Sequence, residues 1–249
     1  MSEMDELDIS ERYEAQMWAL HDDVWSAWGR LDQEVSAPRY QSRFLPTEIW
    51  ANMGINEPEP PSIDHPSYRV VRRQYGLVVT SLGLSFPTTW SDAEPTNGIE
   101  VEVYAAATGI SADASFADVM GSWLGQVVAA VARTASQHGF RFTRNLEHYG
   151  TLSISLPGLD FPPEAAGTYV DGDGLVTVLL GLTGEGFPNV VAGPLSEIRM
   201  VNIKVLTVAE TAFCVSGTGG VTDARAEIAN RLAAQGDPLW SSLTRPSVV

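Results

Sequence analysis

Between Leu175 and Phe213 the chain spells out a strand, a second strand and a helix start with little room for another arrangement. Leu175-Val-Thr-Val-Leu-Leu180 is almost wholly apolar and rich in β-branched residues. That is the pattern of a strand buried on both faces, and it is too short to cross a bilayer. After a Gly/Pro loop, Ile198 to Leu206 alternates, with Ile198, Met200, Asn202, Lys204 and Leu206 on one side and Arg199, Val201, Ile203 and Val205 on the other. The Val/Ile side is expected to face a core. Thr207-x-x-Glu210 then forms a capping box, in which hydroxyl and carboxylate satisfy amides at the start of a helix.

The rest of the chain fits the same plan. Ile9 to Leu31 carries apolar residues at helical spacing and several tryptophans, and reads as an N-terminal helical extension that packs across the main domain as an appended layer. The Pro-rich run Glu57-Pro-Glu59-Pro-Pro cannot sustain a helix or a sheet and is read as a linker, dividing the chain into 1–60 and a main domain over 61–249. Tyr68 to Arg73 and Leu77 to Ser81 are extended. Ile99 to Ala107 alternates, which predicts a strand with Glu100 and Glu102 on a solvated face. Ser115 to His138 is expected to be one long helix with Ser115 as its cap and Gly139 past its end, while Gly158 to Gly167 reads as loop. A last helix spans about Thr222 to Ala234. The fold class is α+β, a mixed and largely antiparallel sheet covered by helices.

The composition bounds function. A chain of 249 residues with 44% hydrophobic content can bury a substantial core. Its formal charge of −16 and single lysine, Lys204, argue against nucleic acid and favour a basic partner. One cysteine, Cys214, excludes an intrachain disulfide and reads as a packed thiol. The first residues are acidic and lack the pattern of a secretory signal, so a cytoplasmic location without a membrane partner is expected.

Chemistry-bearing patterns are sparse. Asp171-Gly-Asp-Gly174 opens like a calcium loop, but Leu182 stands where the closing glutamate belongs, and a tight turn is expected instead. Gly217-Thr-Gly-Gly220 joins two helices and lacks the lysine of a phosphate loop. His21-Asp22-Asp23 cannot converge on one ion, because adjacent helical positions diverge by ~100°. No catalytic, cofactor or metal residue is assigned.

Thr80-Ser-Leu-Gly-Leu-Ser-Phe-Pro87, followed by Gly98-Ile-Glu-Val-Glu-Val103, resembles the bacterial branch of the suppressor of fused domain family. The later segments Leu179-Leu-Gly-Leu182, Gly193-Pro194 and Val201-Asn-Ile-Lys-Val-Leu-Thr207 with Glu210 are similar to that family's closing strands and helix start. Phe86 departs from the polar or acidic residue of the pattern. The resemblance implies a non-enzymatic protein-binding domain, in its bacterial form an immunity-type protein that neutralises a cognate toxin. It also implies an alternative, a regulator that holds a peptide by β-augmentation. An alternative from another class is a hydrolase working through Glu100 and Glu102. The expected partner is a protein, a basic toxin domain in the immunity reading, met by acidic loops beside the motif: Glu57, Glu59, Asp92 and Glu94, with Trp90 as anchor.

Overall fold

The computed structural model describes residues 3–35, 62–89, 94–216, 220–236 and 238–249, with side chains from residue 12 onward in the first of these. In chain order the elements are α1 (Glu3–Ser26), β1 (Arg30–Leu31), β2 (Ser67–Arg73), β3 (Gly76–Leu82), β4 (Pro87–Thr88), β5 (Thr96–Asn97) and β6 (Val101–Ala107). There follow α2 (Phe116–Gly121), α3 (Trp123–His138), α4 (Phe140–Tyr149), β7 (Leu152–Pro157), α5 (Pro163–Tyr169), β8 (Leu175–Leu180) and β9 (Val190–Ala192). The chain closes with β10 (Glu197–Val205), α6 (Val208–Ser216), α7 (Val221–Gln235) and β11 (Trp240–Ser241).

The main sheet runs β1-β2-β3-β6-β10-β8-β7, with β9 and β11 pairing against β10 and β6. Its centre is the parallel pair β6–β10, Val101 to Tyr104 beside Arg199 to Asn202, while β2–β3, β3–β6, β10–β8 and β8–β7 are antiparallel. This is the expected α+β fold with a mixed, mostly antiparallel sheet and an N-terminal helix.

Both faces of the sheet are covered. On the first, Val101, Val103 and Ala105 of β6 and Val201, Ile203 and Val205 of β10 meet Leu124, Val127, Val128 and Val131 of α3, with α4 and α5 beside it. On the second, Tyr104, Met200 and Leu179 meet Met17 and Trp25 of α1, Cys214 of α6 and Ile228 and Leu232 of α7. The alternation in β6 and β10 therefore separates two cores, rather than a core from solvent.

Several local expectations change. The helix from Ser115 is two helices: Ser115 caps α2 through the amide of Asp118, and Ser122 takes an extended conformation before α3. Gly125 explains the fit of the joint, since a Cβ there would lie 2.3 Å from the Met120 carbonyl oxygen. The loop predicted over Gly158 to Gly167 contains most of α5, a short helix with proline in its first turn, where a missing N–H costs nothing. Asp171 forms the expected turn, its carboxylate accepting the amides of Asp173 and Leu175 at 2.9 Å.

Candidate functional site

The two motif segments meet at one buried carboxylate. Glu102 projects from β6 onto the second face of the sheet and is wholly buried. Its oxygen Oε1 accepts the amides of Gly83 and Ser85, each at 2.9 Å, and the hydroxyl of Ser85 at 2.7 Å. Oε2 accepts the Ser81 hydroxyl, and Ser81 Oγ in turn accepts the amide of Val103. The solvated face expected for Glu100 and Glu102 is therefore overturned. Glu100 lies outside β6 with φ +62, is only partly exposed, and its carbonyl accepts the amide of Arg199. The two carboxylates do not form a solvent-facing pair.

The turn geometry follows from small residues. Gly98 has φ +53, and a Cβ on it would sit 2.0 Å from the Leu84 carbonyl oxygen, so only glycine lets the turn close on the Gly-Leu-Ser segment. Asn97 beside it accepts the amides of Leu195 and Ser196 on Oδ1 and donates to the Ser85 carbonyl.

The first helix closes over this group. His21 is buried, and its Nε2 lies 3.4 Å from Ser85 Oγ and 3.8 Å from Glu102 Oε1. Because the Ser85 hydroxyl proton goes to Glu102, the imidazole N–H is the donor toward Oγ. Burial, reinforced by the neighbouring Arg69 guanidinium, pushes the His21 pKa down to about 3. Burial raises the Glu102 pKa, opposed by hydrogen bonds from Ser81, Ser85 and Gly83. Arg69 pairs with Asp22 and stacks over Trp18, whose ring meets Phe86 edge-on at 6.1 Å. Phe86 thus docks α1, which accounts for an apolar residue at that motif position.

Serine, histidine and glutamate in contact invite comparison with nucleophilic catalysis. In a working triad the imidazole takes the hydroxyl proton and the carboxylate backs the imidazole. Here the serine gives its proton straight to the carboxylate, and the hydroxyl is fully buried. The arrangement fastens the turn and α1 to the sheet; it does not present a nucleophile.

A second buried carboxylate fastens the C-terminal tail. Glu210 accepts the Thr207 amide at 2.8 Å, completing the predicted capping box, and both terminal nitrogens of Arg245 grip its oxygens. Burial pushes the Glu210 carboxyl up, but the Arg245 guanidinium and the amides of Thr207 and Val248 outweigh it and hold it below its usual range. Nothing in the local pattern around Thr207 indicates Arg245, because that contact is made from the far end of the chain.

Of the residues expected to bind a partner, Glu94 is exposed beside the β4–β5 turn, while Glu57, Glu59, Trp90 and Asp92 lie outside the described residues. An open cleft of about 440 Å³ lies between Arg30 to Glu34 and Ala112 to Phe116. At its wall Arg72 forks Asp32 at 2.6 and 2.7 Å and donates to the carbonyls of Ala112 and Ala114. That cation is thus committed to the fold. Cys214 is buried, which raises its thiol pKa, as for a packed rather than a reactive thiol. Among the described residues no three His, Cys, Asp or Glu side chains gather as metal ligands, and no helix is long and apolar enough to cross a membrane.

The chain matches no family model, and no curated protein matches it.

Proposed function

We propose that this is a non-enzymatic protein-binding protein of the immunity type, which neutralises a basic toxin domain by covering it. The observation that carries the reading is how the fold sorts its charges. Arg69, Lys204 and Arg225 are buried, and Arg72 and Arg245 are largely covered, with side chains 9% and 8% exposed. Arg12, Arg30, Arg73, Arg133, Arg141 and Arg144 remain exposed, but beside them stand the more numerous exposed acids, among them Asp23, Asp64, Glu94, Asp113, Asp160 and Glu185. The surface is consequently more anionic than the formal charge alone conveys, a field that speeds encounter with a cationic partner. Among the described residues the two buried carboxylates, Glu102 and Glu210, are occupied in holding the fold.

Co-expression with the polypeptide encoded beside the gene tests this. Restored growth and a one-to-one complex whose association slows with salt are expected; toxicity that persists with no complex formed removes the reading. Within it, Asp92→Asn with Glu94→Gln should slow association, and Trp90→Ala should speed dissociation.

A second reading, peptide capture by β-augmentation, is favoured by β7. This strand is the outermost of the sheet on its side, pairs with β8 over six residues, and contains no charged side chain in Leu-Ser-Ile-Ser-Leu-Pro. Edge strands are ordinarily blunted by charge or proline, and with Pro157 confined to its last position the run Leu152 to Leu156 suits an added strand. Shifts of the β7 amide signals on adding partner peptides would separate this mode from docking on the acidic loops.

A further inference from the structure

At the tip of the β2–β3 hairpin, an arginine is set between two indoles. The Arg73 guanidinium carbon lies 5.6 Å from the Trp28 ring centre and 5.7 Å from that of Trp240. Beneath them Phe187 stacks on Trp28 at 4.3 Å, with ring planes 5° apart, and reaches Trp240 at 6.0 Å. The fold makes space for this group. A Cβ on Gly29 would lie 2.5 Å from the Arg72 carbonyl oxygen and 3.1 Å from Arg73 Cγ. One on Gly76 would lie 2.6 Å from the Trp240 ring and 2.4 Å from the Ala107 carbonyl oxygen. Glycine at both positions is what lets the arginine and the indole close together.

Arg73 differs from the three covered arginines that are held in ion pairs. Arg69, Arg72 and Arg245 each have a carboxylate. Arg73 is exposed, and among the described residues its guanidinium meets only the two rings and donates no hydrogen bond. Two residues on, Tyr75 is 78% exposed. The aromatic backing removes water from one side of the cation and limits its rotamers. Its N–H donors, in the planar fork that matches a carboxylate, are not used within the described fold. Trp, Tyr and Arg together are also the composition that dominates interface hot spots.

From this we infer that Arg73, backed by Trp28 and Trp240, is a receptor for a partner protein's Asp or Glu side chain flanked by an apolar residue, the carboxylate forking Arg73 and the apolar residue packing on Tyr75. The net charge of −16 disfavours a generally acidic partner, so the group suits one carboxylate on an otherwise basic face. The site does not depend on that partner being a toxin.

The test is a nuclear magnetic resonance titration of the isotope-labelled protein with acetyl-Leu-Glu-amide and, as control, acetyl-Leu-Gln-amide. The glutamate peptide should shift the indole N–H signals of Trp28 and Trp240 saturably in the millimolar range, about ten-fold more tightly than the glutamine peptide. Arg73→Gln should abolish that preference, and Arg73→Lys, which keeps the charge without the fork, should reduce it. Tyr75→Ala should weaken both peptides and leave the preference intact; because its ring is exposed, it also serves if the Arg73 variants lose their fold. Equal binding of the two peptides to the unaltered protein, or a preference that survives Arg73→Gln, overturns the carboxylate site. Unchanged affinities in Tyr75→Ala overturn the apolar half.

Discussion

Arg245 and Glu210 stand 35 residues apart in the chain and meet as a two-pronged ion pair, with Nη1 on Oε1 at 2.6 Å and Nη2 on Oε2. The same arginine donates to the Val205 carbonyl, and the Val248 amide adds a further bond to Glu210 at 3.0 Å. One carboxylate thus joins the end of β10, the start of α6 and the C-terminal tail.

Removing only the cation should be costly, because it leaves a buried carboxylate with amides alone. Arg245→Met is expected to lose on the order of 3–5 kcal/mol in urea unfolding, and Glu210→Gln combined with it should recover part of that loss. A loss under ~1 kcal/mol would mean that the tail is not held in solution. The depressed pKa of Glu210 sets the sign with pH. Its stabilisation is fully present above the ordinary value of 4.5 and is lost as pH falls through the folded value.

His21 imposes a different window. Its folded pKa of about 3 lies below the ordinary 6.5 because burial, then Arg69, disfavours the imidazolium. The unfolded chain therefore binds a proton that the folded chain refuses between those values, and stability falls as pH drops from about 6.5 toward 3. The loss begins at a higher pH than carboxylate titration. In His21→Gln the melting temperature should be nearly flat between pH 7 and 5, where the unaltered protein's declines; parallel curves would sink the assignment.

Gly98 and Gly109 offer a matched comparison. Both have positive φ, +53 and +85, but only Gly98 faces backbone within contact distance; an alanine Cβ on Gly109 meets nothing within 4 Å. Gly109→Ala should cost about 1–2 kcal/mol from conformation alone. Gly98→Ala should cost appreciably more, about 3 kcal/mol or above, because Leu84 must also move. Equal losses in denaturant titrations would show that the Leu84 turn gives way freely.

Trp123 begins α3 and is 5% exposed, its ring 5.8 Å from that of Phe161. Trp123→Ala should destabilise by about 3–5 kcal/mol through the cavity it leaves. An unchanged melting temperature would contradict the packing of α3 on the sheet.

Much of this architecture can be read from local pattern. Runs such as Leu175–Leu180 and stripes such as Val127, Val128 and Val131 announce their elements because burial selects apolar residues at a fixed period. Glu102 shows where that logic stops. A charged residue at every second position ordinarily marks solvent, and only the partners brought by Ser81, Gly83 and Ser85 make its burial tolerable. Those partners lie in the very motif that the sequence singles out, so a glutamate following a Gly-Leu-Ser turn was a signal available to be used. The break at Ser122 was hidden because Gly121 and Gly125 sit inside an otherwise continuous helical stripe. Arg245 and Arg73 gave no local sign at all. Their roles arise from segments joined only when the sheet is assembled.

Lys204 lies on β10 against β11, with 2% of its surface exposed and Nζ donating to the Trp240 carbonyl. It is the chain's only lysine. Side-chain amine chemistry therefore has no target on the folded surface. Succinimide esters, biotin or resin coupling, and isopeptide tagging by a degradation pathway can reach an ε-amine only after β11 lifts from the sheet. Where the reagent is concentrated enough to trap every opening, modification at Lys204 becomes a clock for that opening, with a rate set by how often the last strand detaches.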